Sequence, residues 1–146
     1  MTVHLSKSAG AAIPIHLVDS ASFARATRGL PAAARRWMAA TGFAGKPDTH
    51  VLLPDAATGK VRAVWAGVRR PQDPWALAAL PLSLPPGRYR LGPEGLTPDL
   101  YAAALSWELG AYGFDLYKPA RREAAVLVLP PTDAASRGLL VATAVA

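Results

Sequence analysis

The sequence contains no cysteine and no asparagine among its 146 residues, and isoleucine occurs only at Ile13 and Ile15. A chain without cysteine cannot form disulfides or thiolate metal sites, and its composition is compatible with a reducing compartment. No apolar run reaches the roughly 18 residues that a membrane-spanning helix requires. Because residues 1–7 are not followed by an apolar signal core, we expect a cytoplasmic protein with no membrane partner.

Positive charge is in excess, with 16 Lys and Arg against 10 Asp and Glu, a net charge of +6. We interpret the richness in Arg, Ala, Pro and Gly as a GC-rich coding bias. The basic residues form scattered pairs: Arg35-Arg36, Arg69-Arg70, Arg88 with Arg90, and Arg121-Arg122. A nucleic-acid surface needs such side chains on one face beside aromatic partners, which the spacing does not establish. Scattered, solvated arginines are therefore the preferred interpretation, and a nucleic-acid partner is the less favoured one.

Strand and helix patterns alternate along the chain. The predicted strands cover residues 13–18, 50–54, 61–68, 88–91 and 124–129, and a turn at 55–60 joins the second and third into a hairpin. Five helices are predicted. The first runs from Asp19 or Ser20 to Gly29, the second covers residues 32–40 after Pro31, and the third runs from Asp73 to about Leu80. The fourth follows Thr97, and the fifth runs from Thr132 or Asp133 to Ala146. This interleaving predicts one α/β domain over residues 1–146, a sandwich with a mixed sheet.

The helix after Thr97 is the most distinctive element. Thr97 is a suitable N-cap, Pro98 suits the first helical position, and Gly113 suits a helix end. Two adjacent apolar stripes cover most of its circumference, so we expect it to be largely buried. Glu108 is the one acid within it, and we interpret it as half of a structural ion pair with Lys118 or a nearby arginine.

The sequence contains no convincing active-site motif. None of the three histidines lies in an HExxH motif, and the GxSxG, P-loop and GxGxxG motifs are absent. His16, in an apolar strand, is better interpreted as a hydrogen-bonded core or edge histidine than as a metal ligand, and His50 is similar. We therefore predict no catalytic, cofactor-binding or metal-ligating residue in this chain.

One segment, residues 105–118, carries a family resemblance. It is similar to the W-x-LGAYRFxxYK segment of bacterial members of the leucyl (cytosol) aminopeptidase family. The matching motif residues are Trp107, Leu109, Gly110, Ala111, Tyr112, Phe114, Tyr117 and Lys118. Residues 15–18, 73–77, 84–91 and 124–129 match in order, so the resemblance spans most of the chain. Gly113 departs from the pattern where arginine is expected, which puts any contact of that arginine in doubt.

The resemblance implies that this is the N-terminal domain of such an enzyme, with a macro-domain-like, three-layer α/β fold. In the family, a C-terminal domain holds two divalent metals, Zn or Mn, and removes N-terminal amino acids from peptides. The family's metal ligands, catalytic lysine and arginine, and Asn-Thr-Pro-Ala linker are all expected downstream of this sequence, so no catalytic residue carries over to it.

The expected partners are consequently the chain's own C-terminal catalytic domain and other subunits, since the family usually forms hexamers. The expected role is in assembly and substrate access, without activity of the 146 residues alone. The unbroken last helix is consistent with a fragment cut between domains. The alternatives are a macro-like binding module for a nucleotide, ADP-ribose or DNA, and a stand-alone assembly protein that lacks a catalytic half.

Overall fold

A computed structural model describes residues 2–8, 10–117 and 124–145. The strands are β1 Val3–Leu5, β2 Ile13–Val18, β3 His50–Pro54, β4 Val61–Gly67, β5 Arg88–Gly95 and β6 Val126–Leu129. The helices are α1 Phe23–Thr27, α2 Ala32–Thr41, α3 Leu100–Tyr117 and α4 Asp133–Val145. None of these helices is both long enough and apolar enough to cross a membrane.

The six strands form one sheet in the order β1-β6-β5-β2-β4-β3. Every neighbouring pair is parallel except β3 and β4, which form the predicted antiparallel hairpin. Parallel neighbours need crossover connections, and α3 makes such a crossover between β5 and β6. Helices α1 and α2 connect β2 to β3, which lies two places away in the sheet. The predicted mixed sheet is confirmed.

Each face of the sheet has its own hydrophobic core. Alternate strand residues point to opposite faces, so Ile15 and Val64 join one core while Val18 and Trp65 join the other. The first core is covered by α3 and α4, which contribute Trp107 among others, and the second by α1 and α2. The result is the predicted three-layer α/β sandwich.

Strand β1 was not predicted, because three residues are too short to show a periodic pattern. It forms the sheet edge beside β6, with Val3 opposite Leu127. A carboxylate oxygen of Glu108 on α3 accepts hydrogen bonds from the backbone N–H of Thr2 (2.5 Å), the Thr2 hydroxyl (2.6 Å) and the backbone N–H of Val3 (2.6 Å). Glu108 thus fastens the edge strand to α3, and the predicted ion pair of this residue stays a prediction. Lys118 lies outside the described residues.

Helix α3 differs from its prediction at both ends. Its N-cap is Asp99, whose carboxylate accepts a hydrogen bond from the Ala102 N–H at 2.9 Å, whereas Thr97 was expected. The helix also continues through Gly113 to Tyr117. Glycine permits a helix end but does not require one.

The predicted helix from Asp73 to Leu80 is instead a series of turns. Hydrogen bonds of the i to i+3 type run through it, as from Ala76 to Asp73 at 3.0 Å. The Leu77 N–H donates to the Ser106 hydroxyl of α3 at 3.2 Å, so a tertiary partner replaces the helical one. Leu77 and Leu80 are buried in the first core, which explains their apolar spacing.

Candidate functional site

Of the family motif predicted from sequence, Trp107 and Ala111 lie on the buried face of α3. Trp107 is fully buried, and its indole Nε1–H donates to the Ala125 carbonyl at 3.1 Å. Its ring centroid lies 6.5 Å from that of Tyr89. Trp107 therefore joins α3 to the segment that leads into β6, which is a packing role.

The backbone of Ala78 approaches α3 closely at Gly110. A Cβ atom at this position would lie 2.7 Å from the Ala78 carbonyl carbon and closer still to its oxygen. Ala111 is buried, Leu109 is half-buried and Tyr112 is 45% exposed. Positions 114 and 117 belong to α3, and Lys118 lies outside the described residues. That these residues form a family motif stays a prediction.

A cavity of about 350 Å³ lies on the opposite face of the sheet, between the start of α2 and the strands. We call it the His16 cavity. Its walls are largely apolar, with Leu30 and Ala34 on the helix side and Leu53 and Ala63 on the strand side. Four of its lining residues carry titratable or charged groups: His16, Arg62, Arg90 and Glu94. Its volume is at the small end of the range typical of ligand sites in proteins.

His16 is held rigidly at this cavity. Its side chain is 7% exposed, and its Nδ1 accepts a hydrogen bond from the backbone N–H of Glu94 at 3.3 Å. Its ring lies 4.8 Å from the ring of Trp65, tilted by 41°. Gly92 leaves the room for the imidazole, because a Cβ atom there would collide with it. Since Nδ1 is an acceptor, the neutral ring carries its proton on Nε2.

Burial lowers the pKa of His16 below its ordinary value of 6.5. The Glu94 carboxylate opposes this shift, and the Arg90 guanidinium adds to it. Burial also lowers the pKa of His50 at the start of β3. His16 is therefore neutral at pH 7, as the interpretation of a hydrogen-bonded core histidine requires.

Basic side chains that are scattered in sequence gather on the side of the sheet covered by α1 and α2. Arg28 and Arg35 line a groove between these two helices, and Arg62 and Arg90 line the His16 cavity. The sequence spacing could not show this, since the four arginines come from the end cap of α1, from α2 and from two strands. The pair Arg121-Arg122 lies outside the described residues.

A metal centre is not formed by the part of the chain that the structure describes. No group of three or more His, Asp or Glu side chains is placed there to hold an ion. The described residues therefore do not fit the two divalent metals that the family resemblance implies. We derive no chemical step through a metal in this chain.

Comparison with known families decides the assignment. A family model described as the M17 aminopeptidase N-terminal domain matches residues 13–130, from the start of β2 to one residue past β6. The chain belongs to the M17 aminopeptidase N-terminal domain family. The resemblance found in the sequence is thus confirmed.

A solved structure agrees with this M17 assignment. The crystal structure of cytosol aminopeptidase from Coxiella burnetii is 26% identical, with a TM-score of 0.73 over 94% of this chain. The match covers only 29% of that aminopeptidase, so the M17 domain described here spans less than a third of its length. A comparison with curated proteins found no match.

Sequence reasoning missed the His16 cavity of this M17 domain. Its lining residues are spread from position 14 to position 94, and no motif connects them. One weak signal was present: a histidine inside the apolar strand pattern of residues 13–18. Such a residue needs a polar partner when buried, and the partner is the backbone at Glu94.

Proposed function

We propose that this chain is the N-terminal, non-catalytic domain of a metal-dependent leucyl aminopeptidase. The observation that carries the proposal is the family match over residues 13–130. The lack of a metal-binding group among the described residues supports placing catalysis elsewhere in the protein. The domain arrangement is then one non-catalytic domain over residues 1–146 followed by a separate catalytic domain.

In the whole enzyme, two divalent metals, Zn or Mn, would be held by the catalytic domain and would activate the water that attacks the peptide bond. The residues described here would contribute to assembly into a hexamer and to substrate access. The enzyme would work in the cytoplasm. The same proposal includes a macro-domain-like fold for this domain. The sheet order and the three layers support that part of the proposal.

The first test is an activity assay of the 146-residue chain. We expect no release of nitroaniline from leucine p-nitroanilide with added Mn²⁺ or Zn²⁺, at protein concentrations far above those needed for an active aminopeptidase. If the same gene encodes a longer protein that includes the metal domain, that protein should show aminopeptidase activity that EDTA abolishes. Metal-dependent hydrolysis by the 146 residues alone would contradict the proposal. Native mass measurement of the longer protein tests the hexamer.

A second candidate is a binding module for DNA or a nucleotide such as ADP-ribose. One observation favours it: the arginines of the α1 and α2 groove and of the His16 cavity lie on the same side of the sheet. DNA binding through these side chains should weaken steeply between 50 and 200 mM salt, because bound phosphates release counterions. Gel retardation of a duplex at both salt concentrations tests this. A rise in melting temperature with ADP-ribose would favour the nucleotide instead.

A further inference from the structure

The His16 cavity brings opposite charges to one apolar pocket. Arg62 and Arg90 reach it from β4 and β5, and Glu94 reaches it from the end of β5. No described residue accepts a hydrogen bond from either guanidinium. Guanidinium groups recognise carboxylates through paired N–H donors. The cavity therefore offers positive groups for a carboxylate and a negative group for a cation.

The buried histidine adds a neutral donor. Nδ1 of His16 is occupied by the Glu94 backbone N–H, and the Nε2–H has no partner in the part of the chain that the structure describes. No buried side-chain nitrogen or oxygen of the described residues lacks a hydrogen-bond partner, so Nε2 is accessible from the cavity that His16 lines. A ligand oxygen in the cavity would satisfy it.

We propose that the His16 cavity binds a free α-amino acid with an apolar side chain. Its carboxylate would pair with Arg90 and accept the His16 Nε2–H, its ammonium group would pair with Glu94, and its side chain would lie against Leu30, Ala34 and other apolar walls. The inference uses only the cavity, so it does not rest on the proposed aminopeptidase function.

The charges discriminate against other small ligands. A phosphate dianion would be attracted by the two arginines but repelled by Glu94, whereas an amine would be repelled by both arginines. Arg62 is exposed on β4, whereas Arg90 is half-buried on β5, so water screens an ion pair with Arg90 less than one with Arg62. Arg90 is therefore the main carboxylate partner.

The test is calorimetric titration of the 146-residue chain with four probes at pH 7.5. Leucine carries both charged groups, 4-methylpentanoate lacks the ammonium, 3-methylbutylamine lacks the carboxylate, and inorganic phosphate lacks the apolar part. We expect leucine to bind most tightly and 3-methylbutylamine not to bind. No heat of binding with leucine at 20 mM, or tighter binding of phosphate than of leucine, would overturn the proposal.

Variants assign the binding to this cavity. Arg90→Gln should weaken leucine about tenfold, the loss typical of a charge-assisted hydrogen bond. Glu94→Gln should weaken leucine but not 4-methylpentanoate, and Ala34→Leu should abolish binding by filling the cavity. Arg36→Gln is the matched control, since Arg36 is exposed on α2 and does not line the cavity.

The variants also keep the test decisive if one of them folds poorly. Arg90 is only half-buried and makes no hydrogen bond to a described residue, so Arg90→Gln should unfold at nearly the same temperature as the natural chain. If Arg90→Gln binds leucine as tightly as Arg36→Gln does, the ligand binds elsewhere and the proposal is wrong.

Discussion

Replacing Gly110 by alanine should destabilise the protein, although alanine is the better helix former. In an exposed helix, Gly→Ala stabilises by about 1 kcal/mol. At position 110 the added Cβ would lie 2.7 Å from the carbonyl carbon and 2.8 Å from the Cα of Ala78, against 3.4–4 Å for an ordinary contact. Both obstacles are backbone atoms, so no side chain can rotate away.

The size of the effect follows from the two opposing contributions. Overpacking of a close contact costs up to about 3 kcal/mol, which exceeds the gain in helix propensity and leaves a net loss of about 2 kcal/mol. For a chain of this length, that corresponds to a decrease of roughly 4–8 °C in the melting temperature. The segment around Leu77, whose N–H donates to Ser106 one turn before Gly110, should be displaced from α3.

The measurement is urea unfolding and thermal melting of Gly110→Ala beside Gly29→Ala. Gly29 has open space around its missing Cβ and no positive φ, so alanine there should be neutral or slightly stabilising, within about 1 kcal/mol. If Gly110→Ala is as stable as the natural chain or more stable, the argument from close approach to Ala78 is refuted.

Three further predictions concern stability. Glu108→Gln should lower the free energy of unfolding by about 2 kcal/mol, because charge-assisted hydrogen bonds to Thr2 and Val3 are weakened. The Val3 amide should also exchange its hydrogen faster in this variant. Unchanged exchange at Val3 would contradict the role of Glu108. Asp99→Ala should cost about 1 kcal/mol in urea unfolding through loss of the α3 N-cap, and no loss would reassign the cap. Because burial disfavours the charged form of His16 and His50, their pKa values in the folded chain lie below 6.5, and the unfolded chain binds more protons. The free energy of unfolding should therefore be highest above pH 6.5 and decrease as the pH falls below it. Urea unfolding at pH 7.5, 6.5 and 5.5 checks this, and a flat profile would be inconsistent with the burial of both histidines.

Local patterns predicted most of the regular elements. The alternation at residues 50–54 and 61–68 indicated the hairpin, and the apolar run at 124–129 indicated a buried strand, because side-chain period and turn residues are local properties. Thr132 was correctly proposed as a cap of the last helix, and its hydroxyl accepts a hydrogen bond from the Ala135 N–H at 3.2 Å. Caps depend on residues three positions apart, so sequence reasoning can reach them.

The errors at residues 73–80, at strand β1 and at the His16 cavity lie where a distant partner replaces a local one. The Leu77 N–H donates a hydrogen bond to the Ser106 hydroxyl of α3, so residues 73–80 form turns. Asp73 and Pro74 had suggested a helix start there. Strand β1 is too short to be seen in the sequence and exists through pairing with β6 and hydrogen bonds to Glu108. The His16 cavity also escaped prediction, because its groups come from four strands and one helix.

The sequence by itself determined the class of this protein: an α/β domain that resembles the N-terminal domain of leucyl aminopeptidases. Those properties follow from residue types and short spacings, which the chain carries before it folds. Only the tertiary structure decided that Glu108 holds the edge strand, that Gly110 admits the Ala78 carbonyl, and that His16, Arg90 and Glu94 meet at one cavity. These contacts join residues up to 106 positions apart, and hydrogen bonds or close packing at such separations leave no periodic trace in a single sequence.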